Sequence, residues 1–176
     1  MGVNHIAVTV KDIEATHQFY TEAMGFDIVK VEINETGGGF NRHVFYSTGS
    51  ATDGLIAFWD VSNVPGSENP RTDLNRDLGL DPMMNHFAFQ ADGADDMERR
   101  RQRLLDYGRD VLEIDHGWIH SIYTEDPDGN VVEFAMLTKP FTEDDAKEAL
   151  ELLRATTPPP AAAKPSITFH KAGASA

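Results

Sequence analysis

The stretch from His116 to Phe134, H-G-W-I-H-S-I-Y-T-E-D-P-D-G-N-V-V-E-F, decides how the rest of the chain is read. It predicts a strand ending near Glu125, a tight turn, and a second strand that carries Glu133. Pro127 presets one backbone angle and Gly129 accepts the positive φ that closes the turn, with Asp126, Asp128 and Asn130 supplying the rest. Strands joined so closely are antiparallel neighbours. Tyr123 and Glu133 therefore fall near each other on one sheet, an ionisable hydroxyl beside a carboxylate on a rigid strand.

Upstream, the segment Asn85-His86-Phe87-Ala88-Phe89 echoes Asn4-His5-Ile6-Ala7-Val8, at an offset of 81 residues. Each is followed by a helix that a glycine ends. The first runs from an N-cap at Asp12 to Met24, with Gly25 as its stop; the second spans about 94–107, with Gly108 as its stop. Strand patterns at 26–33, 42–48 and 54–61 complete the first unit, and those at 110–115, 118–125 and 130–138 complete the second. The fold class is α+β, with tandem βαβββ modules forming an open, barrel-like cup. One domain covers 3–138, its modules lying at about 3–61 and 85–138.

Three segments fall outside the strand and helix pattern. Gly37, Gly38 and Gly39 predict a mobile loop over 35–40. The connection from Ser62 to Met84 is rich in Pro, Asn, Asp and Gly, and its length marks a functional loop or an interface arm. After Lys139 and Pro140, Thr142 and Asp145 have capping-box spacing for a short C-terminal helix within 139–155. Its apolar stripe of Ala146, Ala149, Leu150 and Leu153 predicts docking on the core or on a partner. The Pro/Ala-rich tail, 156–176, is expected to be disordered.

A formal charge of −14 over 176 residues opposes a polyanionic partner, so no nucleic acid is expected. No apolar run reaches membrane-spanning length, and the N-terminal residues enter a strand pattern without a signal-peptide profile. No membrane partner is expected, and the reading is a soluble, cytoplasmic protein. The chain has no cysteine, which leaves His, Asp and Glu to hold any metal.

Strand alternation selects three such residues. If Ile6, Val8 and Val10 turn toward a helix, His5 faces the other way. By the same parity Phe87 and Phe89 leave His86 on the open face, and Val132, Phe134 and Met136 leave Glu133 there. Taken singly, a strand histidine is ordinarily a satisfied polar residue and a glutamate an edge residue in water. Two histidines at corresponding repeat positions and a carboxylate on the last strand, all on one side, form a 2-His-1-carboxylate set suited to a divalent metal.

With these residues in place the chain resembles the vicinal oxygen chelate superfamily, which includes glyoxalase I, extradiol dioxygenases, and fosfomycin- and bleomycin-resistance proteins. The resemblance covers about 3–138. It rests on the paired N-H-x-A strands, the helix ending A-M-G-F, and the I-Y-x-x-D-P-x-G-x-x-x-E segment. It implies a cup built around a divalent metal that chelates two adjacent substrate oxygens, with His5, His86 and Glu133 as ligands. Ile114, His116, Ile122, Tyr123, Asp126, Pro127, Gly129 and Glu133 fall in the spacing of the extradiol dioxygenase signature, which implies that Tyr123 hydrogen-bonds at the active site.

Two departures shape the expectation. The fourth ligand usual in glyoxalase I aligns with Ala57, which counts against that activity. The acid/base histidine common in extradiol enzymes has no counterpart in Gly54-Leu55-Ile56-Ala57-Phe58-Trp59, so His43, His116 or His120 must substitute. His116 would shape the cavity rim, while His120 shares parity with Ile122 and would face the helix; His17 and His170 receive no role. The expected function is a metal-dependent enzyme, best matched to an extradiol-type ring-cleaving dioxygenase. Fe(II) is the preferred metal, with Mn(II), Ni(II) or Zn(II) as alternatives. A glyoxalase-like lyase or isomerase and a non-catalytic sequestering cup are the competing readings. The partners expected are a small molecule with adjacent oxygens, possible aromatic character being suggested by Phe58 and Trp59, and a second copy in a homodimer.

Overall fold

The computed structural model describes residues 3–49, 54–157, 159–160 and 164–173. The first module comprises β1 (His5–Val10), α1 (Ile13–Gln18), β2 (Asp27–Thr36), β3 (Gly39–Ser47) and β4 (Leu55–Asp60). The second comprises β5 (His86–Gln90), α2 (Ala94–Asp106), β6 (Val111–Asp115), β7 (Ile119–Glu125) and β8 (Val131–Leu137). The chain continues through α3 (Glu143–Arg154) to β9 (Ser166–His170). The strand orders are β1-β4-β3-β2 and β5-β8-β7-β6-β9. In each module the first strand pairs in parallel with the fourth, so His5 lies opposite Leu55 and His86 opposite Val131.

Local chemistry accounts for the helices. The Asp12 carboxylate accepts the Glu14 and Ala15 amides at 3.0 and 3.1 Å, satisfying two donors at the start of α1. Beyond Gln18 the helix widens into one π turn, Phe19–Ala23, which buries Phe19, Tyr20 and Ala23. In α2 the first-turn Asp96 accepts the Asp92 amide at 2.9 Å and pairs with Arg99 and Arg100.

The helix faces of both sheets close on one apolar cluster. Val10, Tyr46, Ile56 and Phe58 come from the first sheet; Phe87, Ile122, Val132 and Phe134 come from the second. Phe26 joins them, its ring 4.9 Å from Phe89 and 6.1 Å from Phe134. Val8 and Val10 pack as alternation predicts, but Ile6, near the strand's start, is exposed. The opposite face of each sheet carries the residues that alternation reserves for a site.

Three expectations change. The glycine run is not a mobile loop: β2 extends to Thr36, β3 begins at Gly39, and the two form a tight hairpin. Gly39 is required there because the Asn63 carbonyl lies where a side chain would project, and it accepts the Phe40 amide at 3.1 Å. Helix α3 has the expected capping box, yet every residue of it is exposed, so it does not dock on the core of its own chain.

The third change is in the tail. Ser166–His170 is a strand, β9, paired antiparallel with β6 from Val111 opposite His170 to Asp115 opposite Ser166. His170 Nε2 lies 2.6 Å from a Glu113 carboxylate that also binds Arg101 and His120, each at 2.7 Å. Pairing with β6 thus orders this segment despite its Pro- and Ala-rich surroundings. Positions 158, 161–163 and 174–176 of the tail lie outside the described residues.

Candidate functional site

The β7–β8 hairpin sets the centre of the site. Tyr123 and Glu133 are direct cross-strand partners, as the opening stretch predicts. On the other side of β8, Glu133 pairs with Ala88 and Val131 with His86. His86 Nε2 thereby comes within 3.0 Å of Glu133 Oε2. Glu133 is 4% exposed, and among the described residues no Lys or Arg pairs with it.

The hydrogen bonds fix the tautomer of His86. Its Nδ1 lies 3.0 Å from the Met83 carbonyl oxygen, which only accepts, so Nδ1 carries the proton. The other ring nitrogen, Nε2, then faces a carboxylate oxygen. A buried carboxylate beside an imidazole nitrogen is compensated either by a proton shared between the two or by a divalent metal that both could ligate. His5 repeats the arrangement, its Nδ1 being 2.8 Å from Asn4 Oδ1 and its Nε2 left for another partner. A carbonyl oxygen that accepts from Nδ1 holds a ligand histidine with Nε2 turned toward a metal. The donor set therefore fits a divalent cation.

His5 itself is on the other sheet. Among the described residues no group of three His, Asp or Glu side chains comes within reach of one cation. One chain brings together His86, Glu133 and Tyr123, but not His5. On its sheet His5 belongs to an aromatic cluster, its ring 6.4 Å from His43 and 5.8 Å from Phe45. His43 stacks on Trp59 at 3.7 Å, is buried, and has no hydrogen-bond partner for Nε2. Burial lowers its pKa below the ordinary 6.5, with Glu32 acting in the opposite sense, so the ring is neutral near pH 7. Burial also raises Tyr123 above its ordinary 10, and the neighbouring Glu133 charge adds to that, leaving a protonated phenol able to donate.

The other histidines lie elsewhere. His116 is exposed in the turn after β6, on the order of 10 Å or more from Tyr123 along the strand, and does not join the site. His120 faces the helix side, as its parity predicts, and pairs with Glu113. His17 contacts the Tyr46 hydroxyl at 2.9 Å.

The long connection walls one side. Asn130 ties it to the hairpin turn, accepting the Leu74 amide at 2.8 Å and donating to the Thr72 carbonyl at 3.0 Å. The fully buried Asn75 donates to the Pro82 and Asn85 carbonyls, both at 2.7 Å. This braces Asp81, Pro82 and Met83 against a cavity of about 700 Å³ that also meets Tyr123, Val131, Leu112 and Phe169. Met83, Leu112 and Phe169 were not singled out from sequence. Only the length of the connection gave a signal, and for Phe169 the alternation in Ser166–His170 was too short to stand out.

With that geometry, comparison with known proteins is informative. A sequence model described as the Glyoxalase/Bleomycin resistance protein/Dioxygenase superfamily matches residues 2–134, and the chain belongs to that family. Divalent metals, small-molecule substrates and dimers are common in it. A 3-methylcatechol 2,3-dioxygenase of Pseudomonas putida is 26% identical over 140 residues, 76% of this chain. The match spans only 41% of that relative's length. Two solved structures share the fold. The fosfomycin resistance protein FosX from Mesorhizobium loti has a TM-score of 0.55 at 22% identity, covering 82% of this chain and 97% of its own. A glyoxylase/bleomycin resistance protein/dioxygenase domain from Frankia sp. has a TM-score of 0.56 at 15% identity, covering 78% and 98%. Among the described residues no helix is long and apolar enough to cross a membrane.

Proposed function

We propose that the protein is a divalent-metal enzyme that cleaves an aromatic ring beside two adjacent hydroxyls, inserting both atoms of O2 in the manner of an extradiol dioxygenase. His86 and Glu133 of one copy and His5 of a second copy would hold the metal, Fe(II) being preferred. The observation that carries this reading is His86 Nε2 placed 3.0 Å from the buried Glu133 carboxylate, with Nδ1 held by the Met83 carbonyl. A bound Fe(II) would supply chelation of the vicinal oxygens and activation of O2.

The chain's own residues do the remaining work. Tyr123 donates a hydrogen bond to a substrate oxygen, because its hydroxyl stays protonated. His43, neutral and with its buried Nε2 unpartnered, would accept a proton from a substrate hydroxyl once its aromatic neighbours open to the ligand. Its ring lies 6.4 Å from that of His5, a residue that would hold the metal. Phe45 and Trp59 border that imidazole and exclude water. The 26% identity to a catechol dioxygenase supports the reaction class, and Ala57 in place of a fourth ligand disfavours glyoxalase-type isomerisation.

The stacked Trp59, His43 and Phe45 cluster also favours a second reading, a cup that sequesters a flat ligand without metal. Metal content after anaerobic Fe(II) loading, measured for the wild type and Glu133→Ala, separates the two. About one metal per chain in the wild type, lost in the variant and accompanied by catechol-dependent O2 uptake, supports the enzyme. A wild type that takes no metal, yet binds catechols equally with and without Fe(II) present, leaves the sequestering cup.

A further inference from the structure

The strand β9 lies beyond the matched family region, which ends at residue 134, and its Phe169 lines the cavity that Tyr123 also lines. Cross-strand pairing aligns Glu133, Tyr123, Leu112 and Phe169 in one row across four adjacent strands, on the open face of the sheet. At about 4.8 Å per strand, the Phe169 backbone lies roughly 14 Å from that of Glu133 and about 10 Å from that of Tyr123. The cavity meets three of the four, Tyr123, Leu112 and Phe169, and Glu133 is the cross-strand partner of Tyr123. Val131, the partner of His86, lines one end; Tyr123 and Leu112 line the middle; Phe169 lines the other end.

Phe169 is 56% exposed although aromatic, and it is held in place from behind. Its neighbour His170 turns to the opposite face and pairs with Glu113 at 2.6 Å, while the Ala172 amide donates to Asp110 at 2.8 Å. An aromatic ring anchored on a rigid strand and left open toward a cavity offers apolar contact to a ligand. The charged residues on the cavity wall are mainly acidic, Asp81, Asp110 and Glu125 against Arg109, and Arg109 packs over the Phe19 ring. This lining discourages a substrate with an anionic end.

We propose that Phe169, with Leu112, is a specificity-determining platform for an uncharged apolar extension of the substrate, which makes the preferred substrate a diol bearing an aryl or alkyl group rather than an unsubstituted catechol. The proposal rests on the diol reading of the metal site and deepens it. Chelation at His86 and Glu133 fixes one end of the ligand, and the row of side chains directs the other end over Tyr123 toward β9. The C-terminal segment thus contributes to substrate choice.

The test is anaerobic calorimetric titration of the full chain loaded with Mn(II), using catechol, 4-phenylcatechol and the diol-free probe biphenyl. The expected wild type binds 4-phenylcatechol about tenfold more tightly than catechol, and Phe169→Ala removes that preference while leaving catechol within twofold. Ile167→Ala is the control for strand docking, because Ile167 shares the face and strand of Phe169 but does not line the cavity. It should bind all three ligands as the wild type does. The platform is overturned if Phe169→Ala keeps the preference, if the wild type has none, or if Ile167→Ala lowers affinity as much. If neither diol binds but biphenyl binds in a Phe169-dependent manner, the platform stands and the diol reading fails.

Discussion

The Tyr20 hydroxyl donates a hydrogen bond to the Asp126 carboxylate at 3.1 Å, joining the helix of the first module to the turn of the last hairpin. Tyr20 is fully buried, and Asp126 also accepts the Asp128 and Asn130 amides at 2.9 Å. This one carboxylate shapes the turn that positions Glu133. Burial raises its pKa to about 6, against amide donors that act the other way.

A pH dependence follows from that elevated value. The folded state binds the Asp126 proton more tightly than the unfolded state does, so the stabilising contribution is complete below about 4 and is lost as pH rises through about 6. Asp126→Asn removes the ionisation with little change of shape. The wild type should gain on the order of 3 kcal/mol relative to the variant when pH falls from 7 to 4. Urea midpoints at both pH values check this, and equal shifts in the two proteins would disprove it.

Glu113 behaves in the opposite sense. Burial pushes its carboxyl up, but hydrogen bonds from Arg101, His170 and His120 outweigh that and hold it below the ordinary 4.5. Its contribution is present above about 4.5 and is lost as pH falls through the lower folded value. Glu113→Gln should weaken β9 by about 1–3 kcal/mol. Faster amide hydrogen exchange at Ile167 and Phe169 near pH 7, with β8 unchanged, is the expected result.

The proposed sharing of a metal site between two copies makes a stoichiometric prediction. His5→Ala and Glu133→Ala dimers should each bind metal poorly. When the two are unfolded together and refolded, random pairing restores one complete site in each mixed dimer, or about a quarter of the wild-type capacity. Recovery near zero would exclude a site completed between copies.

His43→Phe separates chemistry from structure. Because burial depresses the histidine's pKa, protonation opposes folding, and the wild type loses stability as pH falls below about 6.5. The variant should gain stability relative to the wild type at pH 5.5, retain its metal, and lose about 10²–10⁴ in kcat. An unchanged rate would remove His43 from the reaction.

Much of this arrangement is legible in the sequence because strand alternation is local. The repeat of His5 at His86 and the parity of Glu133 suffice to assign faces, and the Pro127–Gly129 turn fixes the pairing of Tyr123 with Glu133. What alternation lacks is the relation between sheets: it puts His5 on an open face without saying which face it meets. The Tyr20–Asp126 bond spans 106 positions and has no local signature. In the tail, Ile167 and Phe169 alternate with polar neighbours, but five residues amid prolines and alanines do not outweigh the composition. Their order comes from pairing with β6, a tertiary effect.

Strand β9 also bears on solubility. Without it, β6 would present its unpaired amides and carbonyls along the margin of the second sheet, a template for adding strands from other molecules. The replacement margin is only five residues long, with Pro165 before it and Lys171 after it, two residues that discourage further pairing. The end of the chain therefore insulates the sheet against aggregation, and a protein shortened before Ser166 would be expected to precipitate at concentrations the full chain tolerates.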